Sequence, residues 1–264
     1  MSNLVRAELF KVRTTRTWWI MALIYLPLWV VTLLVNWGVT DQGTPSQVGG
    51  PQWQAEEATA NLYTNGQFFG LLMVLLLGII VVTSEFFQQT VTTTFLTTPR
   101  RSTVVLAKLA ATGCLALIFW LATTGANLLA GMAILEQTGV GVHWGSAVWE
   151  AVALNGLAYL LWAFFGVGLG MLIRSQLGAT VTAILLYLGG RIGALAVLGL
   201  ATIFFGSWVS GLYLLVPSVA STLMVTGSGS PGDPPRWAGA AVLIGYGLIS
   251  GLIGGLVMRR RDIS

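Results

Sequence analysis

Apolar residues fall in runs that are too long and too uniform for one face of a soluble helix, and the polar positions collect between them. The first run extends from about Trp18 to Trp37 without a charge, with Pro27 in its middle and an indole at each end. The second runs from about Gly66 to Ser84 and stops at Glu85. The third runs from about Val104 to Leu135, and the fourth from about Ala147 to Ile173, ending at Arg174. The fifth starts near Leu177, and the last runs from Ala238 to Met258 before Arg259, Arg260 and Arg261. A helix needs roughly 20 apolar residues to cross a hydrocarbon core about 30 Å thick, so each run predicts a spanning helix. Between the fifth and last runs, Gly206, Ser207, Ser210, Gly211, Pro217 and Ser218 interrupt a long uncharged stretch. That stretch could hold a seventh span or a re-entrant element.

Charge chooses between the two counts. Basic residues favour the cytoplasmic side of a membrane. With six spans and the amino terminus inside, Arg6, Lys11, Arg13, Arg16, Arg100, Arg101, Lys108, Arg174, Arg259, Arg260 and Arg261 all lie inside, which is 11 of the 13 basic residues. Seven spans would export the terminal arginines. The expectation is therefore an all-α polytopic membrane protein: a single domain over 1–264, six transmembrane helices, both termini cytoplasmic in the cell's plasma (inner) membrane, and an outer re-entrant element at 202–225. The polar stretch from Gly38 to Tyr63 reads as an outer loop, and Lys108 as a side chain that snorkels to the interface.

Composition agrees. The chain is 55% hydrophobic and 8% charged, against about 25% charged in soluble domains, so lipid is its solvent. The net charge of +4 sits at the membrane face, where anionic lipid headgroups or a cytoplasmic partner are expected to meet it; no free-standing basic domain points to nucleic acid. Cys114, the only cysteine, reads as an apolar filler. His143 is the only histidine, too few ligands for a metal site. Neither lysine follows a glycine-rich phosphate loop, so no ATPase, cofactor or catalytic residue is expected in this chain.

Two segments stand apart. In residues 1–16, Leu4, Val5, Leu9 and Val12 share an arc at helical period, with Arg6, Lys11 and Arg13 around the rest. This predicts an amphipathic helix on the cytoplasmic surface, although a basic tail that sets topology has the same composition. Residues 85–103 form a threonine-rich loop broken by Phe86, Phe87, Val91, Phe95 and Leu96. It reads either as a short amphipathic docking helix or as a solvated connector.

Ser84-Glu85-Phe86-Phe87-Gln88-Gln89-Thr90, then Thr97-Thr98-Pro99-Arg100-Arg101, then Leu106-Ala107-Lys108 resembles the junction between the second and third spans of ABC exporter permeases of the type-2 family. Gln89 stands where that family usually has glycine. Leu4 to Lys11 resembles the family's amino-terminal surface helix, and Met258 to Ile263 its tail. The resemblance implies a transmembrane subunit that pairs with a second permease chain and with cytoplasmic ATPase subunits, which supply the ATP and magnesium chemistry. Glu85, Gln89, Thr90, Phe95, Thr97, Pro99, Arg100 and Arg101 would make the coupling contact to the ATPase. Arg6, Glu8, Lys11 and Arg13 would make a second contact from the surface helix. By the same analogy Met73, Leu76, Ile80, Thr180, Ile184 and Tyr187 border the pathway and Pro217 belongs to the outer gate. That mostly apolar lining suits an amphipathic or hydrophobic cargo. Arg191, deep in the fifth run, either contacts cargo or gate, or plays a structural part by snorkelling or pairing with Glu150. A non-transporting sensor or assembly partner of an ATPase would have the same helical frame, and an intramembrane enzyme would need facing polar pairs, for which Asn127, Asn155, Tyr159 and Arg191 are the candidates.

Overall fold

The computed structural model describes residues 2–41, 51–90, 101–173, 175–227 and 234–260. Among the described residues the chain is helical throughout, with no strand. In chain order the elements are α1 (Ser2–Thr14), α2 (Thr17–Asp41), α3 (Pro51–Tyr63), α4 (Gln67–Phe87), α5 (Arg101–Gln137) and α6 (Ser146–Leu172). Next come α7 (Gln176–Ile184), a π turn (Leu185–Gly189), α8 (Gly190–Phe205), a 3₁₀ segment (Ser207–Leu215), α9 (Pro217–Thr226) and α10 (Arg236–Arg260). Six helical stretches are long and apolar enough to cross a membrane, counting α3–α4 and α7–α8 as one stretch each.

The packing follows from where the chain is small. α6 lies at the centre, with α4 and α10 parallel to it and α5 antiparallel. In α4, Gly78 backs onto the Ala163 carbonyl, and in α6, Gly166 backs onto the Leu75 carbonyl. A β-carbon at either position would overlap backbone, so these glycines let the two helices cross at backbone distance, as small residues do in lipid. Leu71, Leu75 and Ile79 then interlock with Tyr159, Trp162 and Ala163, all nearly inaccessible. α2 stands off from this core and buries Tyr25 alone. Pro27 sits inside it without an N–H to donate.

Alternation of direction places α1, the foot of α4, the start of α5, the end of α6, the start of α7 and the end of α10 at one end of the bundle. The opposite end is tied by asparagines. Asn127 on α5 donates to the carbonyls of Tyr63 (3.2 Å) and Asn65 (2.9 Å) and accepts from the Trp29 indole N–H (2.6 Å). Asn36 on α2 donates to Asn65 Oδ1 (2.8 Å). These bonds hold the break between α3 and α4, where Gly66 adopts φ 72° against the Tyr25 hydroxyl; left-handed backbone in that close contact requires glycine.

Three expectations are corrected. The stretch from Gly38 to Tyr63 is not simply a loop, since α2 continues to Asp41 and Pro51–Tyr63 is helical. Glu85 is no loop residue: it is buried inside α4, which runs on to Phe87. The loop expected at 85–103 loses its far end too, because α5 begins at Arg101. The interrupted region at 202–225 does break as expected: α8 ends at Phe205, Gly206 turns at φ 91°, and the 3₁₀ segment and α9 follow.

Candidate functional site

Four charges meet at the end of the bundle that carries the amino terminus. Lys108 Nζ on α5 lies 3.0 Å from Glu8 Oε2 on α1 and 2.9 Å from Glu85 Oε1 on α4. Lys11 Nζ lies 2.7 Å from Glu8 Oε1 and 2.6 Å from Glu85 Oε1. Lys108 also donates to the Val81 carbonyl at 3.2 Å. Both lysines of the chain and two of its carboxylates thus form a closed, electrically neutral ring joining three helices. Side-chain exposure is 4% for Lys108, 7% for Glu8 and 8% for Glu85, while Lys11 keeps 44%. Burial alone works against the Lys11 ammonium, but hydrogen bonds and charges from Glu8 and Glu85 outweigh it, so its pKa lies above the ordinary lysine range.

The ring depends on helix period. Glu8, Lys11 and Val12 share one face of α1 at spacings of three and four, and Val12 packs among Leu77, Val81 and Leu115 beneath the charges. The surface-helix set is therefore divided. Glu8 and Lys11 turn into the bundle, while Arg6 and Arg13 are exposed. The expectation that Lys108 snorkels is corrected: it is enclosed and paired in place.

Below Glu85 the helix ends in a tight motif. Thr90 N–H donates to the Glu85 carbonyl (3.0 Å) and Gln89 N–H to the Phe86 carbonyl (3.3 Å), with Gln89 at φ 57°. This is a Schellman ending, whose left-handed position is normally glycine. Gln89 occupies it at some cost, since a side chain rarely takes that backbone conformation. Phe95, Thr97, Pro99 and Arg100 lie outside the described residues, and Arg101 is the first residue of α5. A cleft of about 720 Å³ beside this foot is lined by Phe86, Phe87, Ser175, Gln176, Leu177 and Thr180.

The residues expected along a pathway take several settings in the single chain. Leu76 and Tyr187 are buried in the main core, and Ile184 packs at its edge. Met73 lines an apolar cleft against α2. Ile80 is half-buried, Thr180 faces the cleft at the foot, and Pro217 opens α9. Tyr187, in the π turn, donates to the Phe68 carbonyl at 2.6 Å. Arg191 lies over the Phe68 ring, 5.5 Å from its centroid, an attractive cation–π placement. Its suggested partner Glu150 pairs instead with Arg236 at 2.9 Å. Asn127 donates to the backbone of the α3–α4 break and accepts from the Trp29 indole.

The four-charge ring was not anticipated from the sequence. Its signal was present: Lys108 and Glu85 lie at or within apolar runs, where an ionised group must find a partner, and Glu8 and Lys11 are one helical turn apart.

Six apolar spans around a glycine-crossed core make this a multi-pass helical membrane protein. Residues 19–264 match the family described as "Protein of unknown function (DUF2705)", and the chain belongs to that family. No curated protein matches the chain.

Proposed function

We propose that this chain is the transmembrane subunit of an ATP-driven exporter of the type-2 ABC permease kind, worked by separate cytoplasmic ATPase subunits. The observation that carries the reading is the ring of Glu8, Lys11, Glu85 and Lys108. It fastens α1 to α4 and α5, the two helices that flank residues 88–100 in sequence, so the amino-terminal helix and those two helix ends move as one body. A subunit driven from the cytoplasm needs such a body, because a loosely tethered loop would absorb a partner's motion instead of passing it to the spans.

In this reading both termini face the cytoplasm of a plasma (inner) membrane, in keeping with the exposed Arg6, Arg13 and Arg16 at that end. ATP and magnesium belong to the partner ATPase. A second permease chain completes the transporter, and the apolar flank of α7, the π turn and α8, with Leu177, Leu185, Val197 and Phe204 exposed, faces that chain or lipid. Cargo is amphipathic or hydrophobic.

Co-expression with an ATP-binding-cassette subunit encoded beside this chain tests the proposal. The expected result is a stable complex whose ATP hydrolysis drives cargo efflux from inverted vesicles, and whose efflux falls at least tenfold in Lys108→Met. Association without cargo movement would favour the sensor or assembly role, and failure to associate would refute both.

A further inference from the structure

Between α2, α4 and α5 lies a cleft of about 360 Å³, within the roughly 300–1,000 Å³ common for ligand sites. Its walls are Trp18, Met21, Tyr25 and Trp29 on one side and Met73, Leu77, Leu115 and Phe119 on the other, with small Ala22, Ala122 and Ala126 leaving the gap. Three of its polar groups already donate within the chain: Trp29 Nε1 to Asn127 at 2.6 Å, the Thr123 hydroxyl to the Trp120 carbonyl at 3.0 Å, and the Tyr25 hydroxyl to the Gly66 carbonyl at 3.4 Å. With the Trp18 indole as the only other polar ring on its wall, the cleft is almost wholly apolar and suits hydrocarbon rather than a polar ligand.

We propose that this cleft holds one acyl chain of an anionic phospholipid from the leaflet on the α1 side. Three observations select that occupant. The cleft opens sideways between Leu26 and Ile118, which are 58% and 61% exposed, so it faces bilayer rather than water. From Trp18 to Trp29 it follows α2 for about 17 Å at roughly 1.5 Å per residue, close to half of a hydrocarbon core about 30 Å thick. At the Trp18 end of the cleft, Arg16 caps the first turn of α2, its carbonyl accepting from Ile20 N–H. Arg13 and Arg16 are exposed and in no ion pair among the described residues, which matches a phosphate-bearing headgroup of negative charge. This inference rests on the cleft alone and stands whether or not the chain exports anything.

The test uses the full chain in nanodiscs, with phosphatidylglycerol bearing a mid-chain diazirine as probe and phosphatidylcholine bearing the same group as control. Labelling in the wild type should map to Met21–Trp29 and Leu115–Ala126 and favour phosphatidylglycerol at least fivefold. Ala122→Trp, which fills the cleft, should cut that labelling about tenfold. Arg16→Gln should retain labelling and lose the headgroup preference. Leu129→Trp, at an exposed site on the same helix, should change neither. Should a filling variant fail to fold, the mapped labelling and the Arg16→Gln ratio decide the matter alone. Labels scattered evenly over the exposed faces, or equal labelling by the two lipids, would overturn the proposal.

Discussion

α2 and α4 are almost equally apolar, with mean hydropathy of 2.1 and 2.4 in their best windows, yet 6% of the first window is buried in the chain and 78% of the second. The α7–α8 stretch, at 1.9, resembles α2, with 11% buried. Hydrophobicity commits a segment to the bilayer but does not say whether it faces lipid or protein, because both are apolar. Two other things decide. Where glycines oppose backbone, as at Gly78 and Gly166, helices close on each other. Where charges enter the bundle, as at Glu8, Glu85 and Lys108, they must be gathered into one neutral cluster. α2 has neither, and it is held mainly by single polar contacts from Trp29 and Asn36.

The largest effect should come from breaking the cluster. Lys108→Met leaves two carboxylates with only the half-exposed Lys11, and loss of one partner from a buried pair costs about 3–5 kcal/mol. Unfolding in mixed micelles should register that loss, whereas Arg13→Met on the exposed face of α1 should change stability by less than about 0.5 kcal/mol.

The next contrast is between two glycines. Gly166→Val drives a side chain into the Leu75 carbonyl and should destabilise by about 1–3 kcal/mol through overpacking. Gly251→Val, on a face of α10 with nothing within 4 Å, should stay within about 0.5 kcal/mol of wild type. Equal effects would mean that the open stripe on α10 is covered by another chain.

Alkaline titration sharpens the picture at the edge of the cluster. The Lys11 pKa is raised in the folded chain, so its contribution is full below the unfolded lysine value of about 10.4 and is lost as pH climbs through the folded value. Attachment of α1 should weaken only in that alkaline range, and Lys11→Met should abolish the pH dependence, read by fluorescence of a label at Asn3.

The smallest effect concerns Gln89 at φ 57°. Gln89→Gly relieves a left-handed residue but gives the unfolded chain more freedom, so stability should rise by no more than about 1 kcal/mol. A loss would mean that the Gln89 side chain has a positive role of its own.

The spans were legible because twenty-residue apolar runs and the arginine distribution are local properties. The break after Phe205 was legible for the same reason, in Gly206 and Pro217. The α3 helix was not: Gly, Pro and Gln precede it, and its order comes from packing on α5 and α6 and from the asparagine bonds below Tyr63. The reach of α4 past Ser84 was hidden because Glu85 reads as the end of an apolar run until Lys11 and Lys108 are seen beside it. The partition of α1 was hidden likewise, since Glu8 falls within its apolar arc beside Val12 and reads as a stray charge there until Lys108 is seen against it.

Hydrogen exchange at Ser2–Thr14 in the membrane-reconstituted protein is the most direct check on the claim that the buried charges bind α1 to the helices flanking residues 88–100. Lys108→Met should lower protection across α1 by about a hundredfold, as expected for about 3 kcal/mol of lost docking energy, while protection in α6 stays as it was. Unchanged exchange in α1, or equal loss throughout the bundle, would contradict it.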